Sequence, residues 1–314
     1  MITLDTIMGR RSVRSYSGQA LSPDQLILLE SALADEGGRC PFGNSLRFRL
    51  AGPGLVQKSM AGVNGSNEVN VSDEVYGSKG DESAVFKIGT YGVIKNPPAF
   101  IIGAVAAGPD AVLDYGYALE GIILAATAAG LGTCWLGGSF DRKATKDLLS
   151  LKDGEIVPAI TPVGLPAEKR SLTERTMRYF AGSDSRKPWN QLFFDGQPGR
   201  PLDKATAGEW APVLEAVRLG PSASNKQPWR VLREGPSRFS LLFAEDKAYN
   251  SALGIPIQEL DIGIAMKHFE LAAEACGLSG SWIRDISGKS GTVGMLGGSL
   301  AYIASWDAEA HALG

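Results

Sequence analysis

Histidine is almost missing from this sequence: His268 and His311 are its two copies among 314 residues. His268 falls in the middle of a helical pattern, where a packing role is the simpler reading, and His311 lies in the C-terminal tail. That scarcity argues against a histidine-dependent hydrolase and against a metal centre with several histidine ligands. Cysteine is scarce too. Cys40, Cys134 and Cys276 are odd in number and far apart, which gives neither a disulfide framework nor a zinc spacing and fits a reducing cytoplasm. Neither sign of charge dominates, with 31 basic against 34 acidic residues, so nothing points to nucleic acid or a membrane surface. The opening MITLDTIMGRR has no apolar core of leader length. The longest apolar stretch, about Gly121 to Gly138, is rich in Ala and Gly and is expected to fall short of a membrane span. Chemistry in such a chain is expected to come from a cofactor, and any anionic ligand must meet positive charge supplied locally.

What is present is a long internal repeat. Asp114 to Trp135 (DYGYALEGIILAATAAGLGTCW) returns as Asp261 to Trp282 (DIGIAMKHFELAAEACGLSGSW), 147 residues later and without a gap, with ten of the 22 positions identical. Solenoid repeats have periods of roughly 20–50 residues, so this spacing points to two copies of a whole domain, folded against each other like a dimer made covalent. Length alone also suggests about two domains of roughly 150 residues. The boundaries read as a first half at 1–166, a connector at 167–204 with charge, Gly and Pro, and a second half at 205–314.

Elements follow from local signals. A short helix over Asp5 to Arg10 runs into an arginine cluster. Ser22 caps a second helix with Pro23 at its first position, and Leu26, Leu29 and Leu33 recur at helical spacing. Arg47 to Leu50 alternates like a strand, the polar stretch 57–83 reads as a loop or lid, and AFIIGAVAA after Pro98 reads as a buried strand. The repeat helix is expected from about Asp114 to Ala129, a helix at Arg142 to Leu149, and a strand over Val157 to Val163. The second half continues with a helix at Glu209 to Leu219, strands at Trp229 to Arg233 and Phe239 to Ala244, the second repeat helix, and a strand near Ser299 to Trp306. Strands and helices mix without a regular βαβ rhythm, so the expected class is α+β.

Two motifs occur once each, one per half. Arg10-Arg-Ser-Val-Arg14 places three guanidiniums and a hydroxyl within five residues, and in an extended stretch residues 10, 12 and 14 share a face. Guanidinium gives forked, permanently charged donors that match phosphate oxygens, although a solvated basic turn would read the same way. Pro221-Ser-Ala-Ser-Asn-Lys-Gln-Pro-Trp229 crowds polar groups into a turn between a helix and a strand. A plain polar loop accounts for its Ser and Asn residues but not for their combination with Gln-Pro-Trp.

Together these segments resemble the FMN-dependent nitroreductase family, whose members carry R-x-S-x-[RK] after a short helix and PSxxNxQPW further on. Gly130 to Phe140 (GLGTCWLGGSF) and Val163-Gly-Leu-Pro166 followed by Arg186-Lys-Pro188 match the family as well, and the resemblance spans essentially the whole chain. It is closest to the tandem branch, where one polypeptide carries two nitroreductase-like halves.

The resemblance implies an intramolecular pseudo-dimer with one FMN between the halves, the arginine segment coming from the first half and the PSASN segment from the second. By the same resemblance Arg10, Ser12 and Arg186 bind the FMN phosphate with Arg11 and Lys187 as neighbours, and Arg14 lies by the N1/O2 edge of the flavin. Pro221, Ser222, Ala223, Ser224 and Asn225 line the flavin from the other half, and the backbone N–H groups of Leu136, Gly137 and Gly138 lie near N5. At the opposite pseudo-site both motifs are missing, so that pocket is expected to be degenerate or filled by side chains. The implied activity is transfer of hydride from NAD(P)H through the flavin to a small nitroaromatic or quinone-type acceptor by a ping-pong scheme, in a monomeric cytoplasmic enzyme. A flavin-binding protein without turnover is the alternative.

Overall fold

The computed structural model describes residues 2–52, 88–168, 185–253, 256–284, 292–295 and 298–308. The loop read at 57–83, most of the connector and His311 lie outside the described residues. Helix α1 (Leu4–Gly9) is capped by Thr3, whose side chain accepts from Thr6 N–H, and it delivers the chain to Arg10. Helix α2 (Pro23–Gly37) opens on a full capping box between Ser22 and Gln25, with Pro23 in the first turn. Strands β1 (Leu46–Ala51) and β2 (Ala99–Ala106) lead to α3 (Ala111–Ala128), then β3 (Gly132–Thr133), α4 (Arg142–Leu149), β4 (Glu155–Ile156) and β5 (Ile160–Gly164). The first repeat helix thus starts at Ala111 rather than Asp114, behind Asp110 at φ 58. The predicted strand over Val157 to Val163 begins only at Ile160.

The second half contains β6 (Phe193–Asp195), α5 (Ala211–Leu219), β7 (Trp229–Arg233), β8 (Arg238–Phe243), α6 (Lys247–Leu253), α7 (Ile257–Ala275), β9 (Ser281–Ile283), β10 (Thr292–Met295) and β11 (Gly298–Asp307). Strand β6 falls inside the stretch read as a connector. It pairs in parallel with β7 and buries Phe193 completely, so this part of the linker is sheet and core.

The two sheets share one strand order. In the first the order is β1-β2-β5-β3, and in the second β7-β8-β11-β9 runs the same way, with β6 and β10 as additions. Pairing is antiparallel apart from β6 with β7. In each half the long helix comes after the second strand of this shared order, α3 after β2 and α7 after β8 with α6 between. This mixed, largely antiparallel arrangement is the α+β class expected from the sequence.

Helices α3 and α7 cross at the repeat's shared glycine. A Cβ at Gly116 would lie 2.4 Å from the Leu260 carbonyl oxygen, and one at Gly263 would lie 2.1 Å from that of Leu113. Only glycine lets the two backbones come this close. Each half also reaches into the other's core. Ile7 of α1 and Leu113, Tyr117 and Leu124 of α3 pack with Trp210, Trp229 and Phe239, while Ile257 and Leu260 of α7 pack with Leu29, Ile101 and Ile122. Helix α3 is long and apolar enough to cross a membrane by length and composition, against the expectation of a shorter stretch, but 83% of it is buried inside the protein, as befits a core helix.

Candidate active site

The residues after α1 run extended and are gripped on both sides. Val13 N–H donates to the Thr133 carbonyl at 2.8 Å, and Lys95 N–H donates to the Arg14 carbonyl at 2.8 Å. The Tyr16 hydroxyl donates back to the Val13 carbonyl at 2.7 Å. Val13 is turned onto Gly132, so its neighbours Ser12 and Arg14 point the other way, as a strand's alternation requires. Arg10 is 5% exposed, and its Nε and Nη1 have no hydrogen-bond partner among the described residues, nor has Nη1 of Arg14. Burial lowers the Arg10 pKa, and Glu120 Oε1 lies 3.7 Å from its Nε.

From the second half the loop 221–228 meets this arm. Ser224, Asn225 and Gln227 all have positive φ, at 47°, 54° and 45°. Asparagine tolerates that region, whereas serine and glutamine are strained there and must be held by their surroundings. The holding is visible. Gln227, fully buried, accepts from Lys187 N–H at 2.9 Å and donates to Asn225 Oδ1 at 2.8 Å, while its own N–H donates to Ser222 Oγ at 3.0 Å. Arg186 donates to Asn225 Oδ1 and to the Leu219 carbonyl, and Asn225 Nδ2 donates to the Ser185 carbonyl at 2.6 Å. Ala223 N–H donates to Asp261 Oδ1 at 2.9 Å.

Arm and loop face each other across one cleft of about 980 Å³, its open mouth included. Arg10, Arg11, Ser12 and Arg14 line one side, residues 221–225 and Arg186 another, and Trp135, Ile257, Leu260 and Ile264 give an apolar wall. Of the residues singled out from sequence, Arg10, Arg11, Ser12, Arg14, Gly137, Arg186, Pro221, Ser222, Ala223, Ser224 and Asn225 come together here. Three do not. Leu136 is buried, and its N–H is spent on the Ile160 carbonyl at 2.9 Å, which corrects its reading as a donor to the ligand. Gly138 does not line the cleft. Lys187 sits off it, with Nζ 3.5 Å from the Gln227 carbonyl and its pKa pushed down to about 8, first by burial and then by Arg230 and Lys226. Arg186 lies at the edge, but two of its bonds brace the loop.

Asp261 was not anticipated in the cleft. It is 2% exposed, and its Oδ2 has no partner among the described residues. Burial raises its pKa well above the usual carboxylate value. The signal was in plain view, because Asp261 opens the second copy of the repeat. The first copy's Asp114 plays the same part opposite, accepting from Phe42 N–H at 3.1 Å and Asn44 N–H at 3.0 Å.

The counterpart of the cleft, found by stepping 147 residues along the repeat, carries different side chains. Gly137, Ile257 and Ile264 correspond to Arg284, Asp110 and Tyr117. Arg284 grips both oxygens of Asp110 at 2.6 and 3.0 Å and lies 3.8 Å over the Phe42 ring. Tyr117 donates to Glu270, and Lys267 pairs with Glu36 at 2.9 Å.

No curated protein matches the chain. Among solved structures, a "putative nitroreductase" from Thermotoga maritima aligns over 98% of this chain and 94% of its own at 18% identity, with a TM-score of 0.55, which shows the fold. Smaller proteins align over 54% of the chain. They include a Bacteroides fragilis nitroreductase with bound FMN (22% identity, 90% of its own length, TM-score 0.34) and an FMN-dependent nitroreductase from Clostridium difficile (16%, 90%, TM-score 0.36). The profile of the family described as "Putative TM nitroreductase" matches residues 56–273, well over half of the sequence, and the chain therefore belongs to the nitroreductase family.

Proposed function

We propose that this oxidoreductase holds one FMN in the cleft between its halves and uses it to pass reducing equivalents from NAD(P)H to a small acceptor of nitroaromatic or quinone type. The observation that carries the reading is the pairing, in one cleft, of a buried arginine arm from the first half with the braced 221–228 loop from the second. Buried guanidinium N–H groups without partners call for an anion, and Arg10 and Arg14 supply them. An apolar wall opposite a polar loop suits a flat ring system with a polar edge.

In this reading Arg10 and Ser12, with Arg11 at the mouth, hold the phosphate. Arg14 stands as a fixed cation beside the ring, where it favours negative charge on the reduced form. Residues 221–225 meet the ring edge, and Asp261 fixes their backbone through Ala223. When bound, FMN supplies hydride acceptance and electron donation, chemistry that no side chain of this cleft offers. One open cleft then serves donor and acceptor in turn, which is the basis for expecting ping-pong kinetics.

The repeat, the matching strand orders and the crossing at Gly116 and Gly263 support reading the chain as two nitroreductase-like copies forming a monomeric pseudo-dimer. The test is the absorption spectrum and flavin content of the purified protein, followed by anaerobic addition of NADH or NADPH and then an acceptor. One FMN per chain, bleached by a nucleotide and reoxidised by the acceptor, is the expected result. Tight flavin that neither nucleotide bleaches would make it a binding protein without turnover, and full FMN retention by an Arg10→Ala, Ser12→Ala variant would displace the phosphate site.

A further inference from the structure

Behind the arginine arm lies a buried carboxylate–imidazole pair that the proposed function does not use. Glu120 of α3 and His268 of α7 are both fully buried. His268 Nε2 lies 2.8 Å from Glu120 Oε1, and His268 Nδ1 lies 2.9 Å from the Ala216 carbonyl of α5. Trp135 Nε1 donates to Glu120 Oε2 at 2.6 Å. Arg10 completes the group, with Arg11, Arg14 and Cys134 as its other charged or titratable neighbours.

The hydrogen-bond geometry of the Glu120–His268 pair bears on its charge. A carbonyl only accepts, so His268 Nδ1 carries a hydrogen. At 2.8 Å, Nε2 and Oε1 form a hydrogen bond only with a proton between them, since a lone pair facing a carboxylate would repel it. Whether that proton is drawn on nitrogen or on oxygen, the Glu120–His268 pair sums to zero. Both Glu120 oxygens then have donors without Arg10, whose nearest nitrogen stays at 3.7 Å, beyond hydrogen-bond reach.

We propose that His268 is a positioning residue: its proton neutralises Glu120 and so leaves the Arg10 charge to the anionic ligand of the cleft. Without that proton Glu120 would be the natural counter-ion of Arg10 and would compete with the ligand for it. The arrangement belongs to the cleft side of the molecule. At the counterpart positions Glu120 is replaced by Lys267 and His268 by Gly121, and Lys267 is paired with Glu36. The inference rests on the FMN reading for the identity of the anion, but not for the protonation itself.

The test compares FMN and riboflavin binding to apo-protein near neutral pH. His268→Ala leaves Glu120 charged beside Arg10 and weakens FMN roughly tenfold to a hundredfold, while riboflavin, which lacks the phosphate, changes little. Glu120→Gln leaves FMN affinity nearly unchanged, because an uncharged group already stood there in effect. The double variant Glu120→Gln, His268→Ala recovers most of the lost affinity. Equal weakening of both ligands, or a double variant as weak as His268→Ala, would reduce His268 to a packing role and overturn the proposal.

A flavin-free readout separates this from the functional reading. In the nitrogen and proton NMR spectra of the imidazole, assigned by their loss in His268→Ala, a proton is expected in the Nε2–Glu120 contact. A bare Nε2 lone pair would refute the proposal even if FMN binds. A wild-type protein that binds no flavin but shows this proton would sink only the FMN assignment.

Discussion

Asp114 and Asp261 occupy the same place in the repeat and do the same mechanical work, Asp114 accepting two backbone N–H groups and Asp261 one from the loop ahead of it. They differ in how completely they are satisfied. Asp114 takes three donors, including Asn44 Nδ2 at 2.9 Å, whereas Asp261 takes Ala223 N–H and leaves Oδ2 buried without a partner among the described residues. Burial raises both carboxyls, and Asp261 far more. A carboxyl whose pKa is raised on folding stabilises the folded state at acid pH, and that contribution is lost as pH rises through the raised value. The apo-protein is therefore less stable near neutral pH than it would be with a neutral side chain here. Asp261→Asn keeps an acceptor for Ala223 N–H and removes the buried titrating group. Its melting temperature should exceed wild type near neutral pH by several degrees, on the order of 1 kcal/mol, and the gap should close on acidification. A gap that stays constant from acid to neutral pH would contradict the assignment of Oδ2 as a buried titrating group.

At the scale of elements, the α3–α7 crossing and the strained loop are the two places where the sequence has little freedom. Gly263→Ala would put a methyl 2.1 Å from a backbone oxygen that belongs to the other helix and has no rotamer by which to escape. The variant should lose at least about 2 kcal/mol in chemical denaturation, and Gly116→Ala a similar amount. The 221–228 loop depends on Gln227, which ties Lys187 N–H and Asn225 into one frame. Gln227→Ala should lose about 1–3 kcal/mol of stability, since Lys187 N–H is left unpaired, and most of its flavin affinity as the left-handed residues relax. Equilibrium binding set beside a melting curve separates the two effects. Elements of this kind were unevenly legible in the sequence. The N-cap at Ser22, the repeat helices and the arginine arm announce themselves through short-range patterns. Strand β6 did not, because three residues paired in parallel with β7 leave no periodicity to read, and only the fold shows that Phe193 is core. Leu136 misled for a related reason, since which N–H a strand spends is decided by its partner and not by its own sequence. Asp261 was legible as a repeated residue, but its exposure to the cleft depends on where the loop of residues 221–228 stops.

Considered as a whole molecule, the chain is two sheets that cannot part. Helix α1 belongs by sequence to the first half and by packing to the second, where Ile7 is 1% exposed beside the Trp210 cluster, and α7 returns the exchange through Ile257 and Leu260. Residues 1–166 and 167–314 expressed separately should each be insoluble or molten, and co-expression should recover a soluble complex. The same interlocking bears on the number of ligands. At the counterpart of the cleft Arg284 stands where the cleft has Gly137, locked to Asp110 and stacked on Phe42. Emptying this place would not restore a second site: what the counterpart lacks is an arginine arm, since no R-x-S-x-R precedes the second half, and space without donors does not hold a phosphate. Arg284→Gly should therefore cost roughly 1 kcal/mol, the value of a half-exposed ion pair with a ring contact, and leave the stoichiometry at one FMN per chain. Titration of the variant with FMN reads this directly. A second equivalent of bound flavin would show that side-chain filling, and not the missing arm, is what silenced the other half.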